Sequence, residues 1–227
     1  MSLDTARARA AIFDRIRTNQ GRAAADAPGE REAAADYLER HPAGPRPSID
    51  GSLLERFKVM SLRMSSSVSE VESLSAAPAA AAAYLAEQGL TPRVVVWPQL
   101  AGLDWSGAGL EVEVRRPRFD ESQGSDAVGI TGAFCALAET GTLVLLSGAE
   151  SPASSHLLPE THIALLRASR IVAGMEDAFA LIRAEHGELP RAVNMVSGPS
   201  RTGDIEQTIV LGAHGPYRVH IIIAVGE

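Results

Sequence analysis

The chain has 227 residues, 45% of them hydrophobic and 22% charged, with a net charge of −7. That length suits one compact domain or a domain with a helical appendage, and it can bury about 70% of the unfolded surface. No apolar run approaches a membrane span, and the acidic balance argues against nucleic acid, whose affinity comes from Lys and Arg neutralising phosphates.

In chain order, residues 4–19 and 30–40 are rich in Ala, Arg and Glu, with Ile12, Phe13 and Ile16 at helical spacing. They predict two helices. The intervening Gly/Ala segment and the prolines at 42, 45 and 47 break them, so residues 1–50 read as a helical arm and 51–227 as the main domain. A helix through Leu53, Leu54, Phe57 and Met60 follows, then a strand over 68–71 and an alanine-rich helix over 78–88. Strands are predicted at 93–97, 110–114, 127–131, 142–146, 162–167, 192–196 and 217–225. Between them Met175, Ala178, Phe179 and Ile182 form the i, i+3, i+4, i+7 stripe of a helix packed on a sheet. This alternation implies a mainly parallel α/β sheet, whose ligands are expected beyond the carboxyl ends of its strands.

Three segments concentrate polar and glycine residues. In the first, Glu139 and Thr140 are expected to follow an apolar helical turn, with Gly141 at positive φ before Thr142 opens a strand. Glu139 is either a satisfied turn carboxylate or an acid, base or metal partner. The second runs Ser197-Gly198-Pro199-Ser200-Arg201-Thr202-Gly203-Asp204-Ile205-Glu206 and reads as a loop opening a short helix near Ile205. Backbone N–H groups would then face a ligand, and Arg201 offers a planar fork for carboxylate or phosphate. Asp204 is read as the cap of that helix or as a partner of Arg201. The third is Gly212-Ala213-His214-Gly215-Pro216, where His214 is placed to titrate at a loop edge.

His162, after Pro159-Glu160-Thr161, is a weaker candidate, and His41, His156, His186 and His220 lack comparable company. No His pair has i, i+4 spacing, so no structural zinc is expected. The single cysteine, Cys135, excludes an internal disulfide and a cysteine-ligated cluster within this chain alone, and it reads as core filler. The N-terminus lacks the apolar core of a secretory signal, which places the chain in the cytoplasm as an expectation.

Gly129-Ile130-Thr131-Gly132 with Glu139-Thr140-Gly141-Thr142, Leu158-Pro159 with His162, residues 197–206, and Gly212 with His214-Gly215-Pro216 occur in the order that resembles the lactate-utilization protein C family, or LUD domain family. The resemblance implies a three-layer α/β/α sandwich similar to the phosphosugar isomerase and CoA-transferase-like superfamily, preceded by helices. It implies a non-redox component of bacterial L-lactate oxidation to pyruvate. Iron–sulfur clusters would be carried only by partner subunits, with no cofactor in this chain, and a homo-oligomer is compatible with it. No catalytic assignment is inherited from it; Glu139 and His214 are the acid–base candidates of an enzyme reading. Thr140, Gly141, Thr142, His162, Gly198, Pro199, Ser200, Arg201, Thr202, Asp204 and Gly215 would surround a small carboxylate or phosphate. Isomerase or acyl-transfer chemistry, or a structural or regulatory role, are the alternatives.

Overall fold

The computed structural model describes residues 5–21, 29–42, 44–120, 124–205 and 208–227. The chain divides into two units, Met1–Arg46 and Pro47–Glu227. In the first unit α1 (Ala6–Asn19) and α2 (Glu30–Arg40) bury no residue. Ile12, Phe13 and Ile16 remain exposed.

The second unit begins with α3 (Leu53–Arg63), capped by Ser52 Oγ accepting from the Glu55 N–H at 3.4 Å. Then come β1 (Ser67–Val71), α4 (Ala77–Glu87), β2 (Arg93–Val96), β3 (Glu111–Val114) and a short hairpin, β4 (Phe119–Asp120) and β5 (Gly124–Ser125). The chain continues through β6 (Val128–Gly132), β7 (Cys135–Leu137), β8 (Thr142–Leu146), β9 (Thr161–Arg167), β10 (Ile171–Val172) and α5 (Met175–His186). It closes with β11 (Val193–Val196), β12 (Arg201–Ile205), β13 (Thr208–Leu211) and β14 (Arg218–Ala224).

Six strands form a fully parallel sheet in the order β1-β14-β9-β6-β2-β3. Strands β9 and β14 are apolar on both faces, as a sheet covered on both sides requires. One face meets α4, whose Ala77, Ala81, Tyr84 and Leu85 pack on Val94, Val96, Ile130, Ile163 and Ile222. The α/β class is as expected, and the structure adds a layer to it. Strands β10, β7, β8 and β11 form a second, mixed sheet. Its inward residues Ala136, Ala138, Leu143 and Leu145 pack with Phe57 of α3 on Ala164, Leu166, Ile221 and Ile223 of the large sheet. Its outward residues Cys135, Leu137 and Val144 meet Ala178 and Ile182 of α5.

Two local expectations are corrected. Residues 135–137 form strand β7, not a helical turn, because each of the three is buried between two apolar layers. No helix begins near Ile205: β12 and β13 make an antiparallel hairpin with a register irregularity between Thr202 and Ile205. The backbone of Asp204 is therefore in a strand and caps no helix, and its side chain lies outside the described residues.

Candidate functional site

Strands β9 and β14 start side by side, and the N–H groups of Tyr217 and Arg218 both donate to Glu160 O, at 2.7 and 3.0 Å. The 212–216 loop immediately precedes β14, so it lies at the amino edge of the parallel sheet. The 198–202 loop joins it there. Ser200 N–H donates to Pro216 O at 2.9 Å, Gly212 N–H to Ser200 O at 2.9 Å, and His214 N–H to Ser200 Oγ at 3.3 Å. A Cβ on Gly215 would stand 3.3 Å from Ser200 Cβ. Both polar loops thus occupy the edge opposite to the expected one, because residues 198–216 form the approach to β14 rather than the exit from a strand of the large sheet.

The third strand-edge element is the end of α3. Arg201 Nη2 donates to Met64 O at 3.0 Å and also to Ser65 Oγ. Gly198, at φ 81°, lies so close that a Cβ would sit 2.0 Å from Met64 O. Pro199 lines a shallow cleft of about 270 Å³ with Ser65, Ser67, Tyr84, Tyr217 and Arg218. Thr202 is half-buried opposite Val210 in the hairpin. The N–H groups of Ser200, Gly212 and His214 are taken up by these bonds. The side chains of Arg201 and His214 are exposed.

The 139–142 segment meets this cluster through hydroxyls and through Gly141. Thr140 Oγ1 lies 2.6 Å from Thr142 Oγ1, which lies 2.7 Å from Ser197 Oγ. Gly141 has the expected positive φ, 68°, and presses on α3, where a Cβ would be 2.4 Å from the Ser61 N. Glu139 turns elsewhere. Its N–H donates to Ala173 O at 3.1 Å, and its Oε2 would stand 3.3 Å from a Cβ on Gly174, at the start of α5. Its contacts are separate from those of Arg201 and His214.

His162 is fully buried at the start of β9, out of reach of a ligand on the loop surface. Its Nε2 shares a 2.8 Å hydrogen bond with Thr131 Oγ1, and burial pushes its pKa down to about 3. His156, which the sequence left without company, is its neighbour at a centroid distance of 6.0 Å and stands edge-on to Trp97 at 6.5 Å. Burial lowers the His156 pKa to about 4, with Asn194 opposing the shift. Among the described residues, both nitrogens of His156, Nδ1 of His162 and Oγ of Ser155 find no hydrogen-bond partner. Buried polar atoms of this kind are commonly satisfied by internal water. His220 is a structural group: Ser67 and Ser69 hydroxyls bond its two nitrogens at 2.8 and 3.0 Å, and Tyr84 stacks on it at 3.9 Å. Burial lifts the Cys135 thiol to about 11, which keeps it protonated and inert. Among the described residues no group of three His, Cys, Asp or Glu could hold a metal ion, and no helix is long and apolar enough to cross a membrane.

A larger cleft opens at the carboxyl edge, with Trp97, Arg167, Arg170 and His186 on its walls. Sequence reasoning missed these four because nothing in their spacing joins them. The strand ends do.

The LUD domain family profile matches residues 54–224. Lactate utilization protein C of Anoxybacillus flavithermus is 38% identical over 96 residues, 42% of this chain and 43% of that protein. The protein of the same name from a Geobacillus species is 36% identical over 128 residues, 53% of each chain. The chain thus spans about half the length of the curated relatives it matches. The crystal structure of a DUF162 family protein from Deinococcus radiodurans superposes with a TM-score of 0.54 at 24% identity, covering 75% of this chain and 95% of that one. That likeness concerns the fold. With the profile spanning nearly all of the second unit, the chain belongs to the LUD domain family.

Proposed function

We propose that this chain is a non-redox component of a bacterial, cytoplasmic system that oxidises L-lactate to pyruvate, and that it holds a small carboxylate or phosphate between Arg201 and His214. The observation that supports the binding part is the joining of the 198–202 and 212–216 loops through Ser200, with the exposed Arg201 on the one and the exposed His214 on the other. The system part is supported by the names of the relatives. Oxidation of lactate to pyruvate removes two electrons and two protons, one hydrogen leaving the hydroxyl-bearing carbon and the other the hydroxyl itself. Iron–sulfur partner subunits take the electrons on this reading, and this chain positions the acid.

Exposure sets the affinity. A charge-assisted bond contributes about 1.5–3 kcal/mol when desolvated, but exposed ion pairs contribute about 0–1 kcal/mol. The isolated chain should therefore bind L-lactate or phosphate with a Kd of about 1 mM or weaker, and a subunit covering the loops would tighten it. Titration of L-lactate, pyruvate and inorganic phosphate, followed by the His214 imidazole NMR signals, tests this. A saturable shift that Arg201→Ala weakens about threefold or more supports the reading. No shift in the wild type, or the same shift in the variant, removes Arg201 and His214 as the binding pair.

A second reading has its own observation. The bonds from Arg201 to Met64 and Ser65 fasten the loop to α3, so the surface could serve as a rigid subunit interface. Arg201→Ala would then impair assembly with partners while leaving the imidazole titration unchanged.

A further inference from the structure

We propose that the cleft at the carboxyl edge is a second ligand site, separate from the Arg201–His214 surface, and that it takes a nucleoside phosphate. The inference does not depend on the lactate reading. Its basis is where the sheet changes its direction of winding. The chain leaving β1 forms α4 and the chain leaving β2 supplies Leu103, Trp105 and Leu110, all on one face of the large sheet. The chain leaving β6 forms β7 and β8, and the chain leaving β9 leads to α5 and β11, all on the other face. Strands β2 and β6 are neighbours, paired Val95 to Gly129 and Val96 to Ile130. Their carboxyl ends therefore diverge to opposite faces and open a crevice. Open parallel sheets bind ligands at such a point.

The crevice is built at the right place and size. Trp97 and Leu100 follow β2, Gly132 ends β6, Phe134 follows it, and all of them line a cleft of about 580 Å³. That volume lies within the range of about 300–1,000 Å³ used by small-molecule sites and far exceeds what a three-carbon acid would fill. Gly132 leaves room beside Trp97 and Leu100: a Cβ there would make ordinary contact with them at 3.9 and 4.0 Å, and a larger side chain would extend into the cleft.

The lining specifies the chemistry. Trp97 and Leu165, both buried, form the apolar floor of the cleft beside the half-buried Leu100 and Phe134, the Arg170 guanidinium lies 4.5 Å over the Phe134 ring, and Arg167 brings a second guanidinium to the same cleft. Arg170 is held in place, donating Nε to Phe134 O at 2.9 Å and both terminal nitrogens to Glu185. Arg167 donates Nε to Glu227 at 2.8 Å and is half-exposed, so its fork, with five N–H donors in all, can serve an incoming phosphate. Ring plus phosphate is the combination these walls match.

The chain has two tryptophans, and they separate the signal. Both are buried, but Trp97 lines the cleft whereas Trp105 packs in the α4-side core with its Nε1 bonded to Leu100 O at 2.9 Å. The full chain is titrated with ADP and with UDP while tryptophan emission is recorded, using adenosine and inorganic pyrophosphate as half-ligands. The expected result is a saturable change with either diphosphate, lost in Trp97→Phe, and at least tenfold weaker binding for each half-ligand. Gly132→Leu, which fills the crevice, and Arg167→Ala should each weaken binding about tenfold or more. Where Gly132→Leu does not fold by circular dichroism, Arg167→Ala decides, because its side chain is half-exposed and its loss leaves the core intact. No saturable change with either diphosphate through millimolar concentrations, or unaltered affinity in folded Arg167→Ala, overturns the proposal.

Discussion

Three buried histidines make the fold sensitive to mild acid. His162 has its pKa lowered to about 3, and His156 and His220 to about 4, in each case chiefly by desolvation, against an ordinary value of 6.5. The native state keeps all three neutral while the unfolded chain takes up a proton on each as pH falls through 6.5. Their contribution is thus complete above 6.5 and is lost progressively as pH falls toward 4 and 3. At pH 5 each such group costs about 2 kcal/mol relative to pH 8, and the three together about 6 kcal/mol, with a local slope of about 4 kcal/mol per pH unit. That total is comparable with the whole stability of a domain, about 5–15 kcal/mol. The carboxylates of Asp126, Glu113, Glu185 and Glu227, all lowered by partners such as Arg115, Arg170 and Leu74 N–H, act below their ordinary values of 3.8–4.5 and so leave the span from pH 8 to pH 5 to the histidines. Urea unfolding at pH 8, 7, 6 and 5 gives the slope directly. His220→Gln should reduce it by about one third, since one of three titrating groups is removed. Unfolding free energies that agree to about 1 kcal/mol between pH 8 and pH 5 would refute the reasoning.

Glycine substitutions should rank by what a new Cβ meets. Gly198→Ala and Gly141→Ala, with clashes of 2.0 Å to Met64 O and 2.4 Å to Ser61 N, should each cost more than about 3 kcal/mol in urea unfolding. Gly212→Ala, whose nearest neighbour is Tyr217 Cβ at 3.4 Å, should cost only the positive-φ strain of about 1–2 kcal/mol. Cys135 should resist a thiol reagent at pH 8 in the native protein and react stoichiometrically in urea, because the buried thiol ionises only near 11; rapid native labelling would contradict the burial. Glu139→Gln should leave the His214 imidazole response to phosphate unchanged, since the contacts of Glu139 are with Ala173 and Gly174, and a lost response would put the two groups in one site.

Much of the fold was legible because period and burial agree. The stripe of Met175, Ala178, Phe179 and Ile182 became α5, and the apolar runs at 93–97, 162–167 and 217–225 became β2, β9 and β14. Residues 134–137 misled because a short apolar run has no period, and only the two layers pressing on β7 decide for a strand. Around Ile205, Asp204 imitates a helix cap, whereas Ile205, Thr208, Ile209 and Val210 carry the β-branched preference that the hairpin uses. The sequence left open whether the 198–202 and 212–216 loops meet, and it pointed to the wrong edge of the sheet for them. Which edge a loop occupies depends on strand direction and order, and His156 beside His162 or Trp97 beside Arg167 are likewise products of topology. No local pattern encodes them.

Growth on L-lactate as sole carbon source tests the central claim most directly, using a deletion strain complemented at equal expression by the wild-type chain, His214→Ala or Arg201→Ala. The account predicts that deletion abolishes growth on lactate but not on pyruvate, that wild type restores it, and that both variants fail to. Unimpaired growth of the deletion strain on lactate would contradict the assignment to lactate oxidation, and full rescue by both variants would contradict the placement of its ligand.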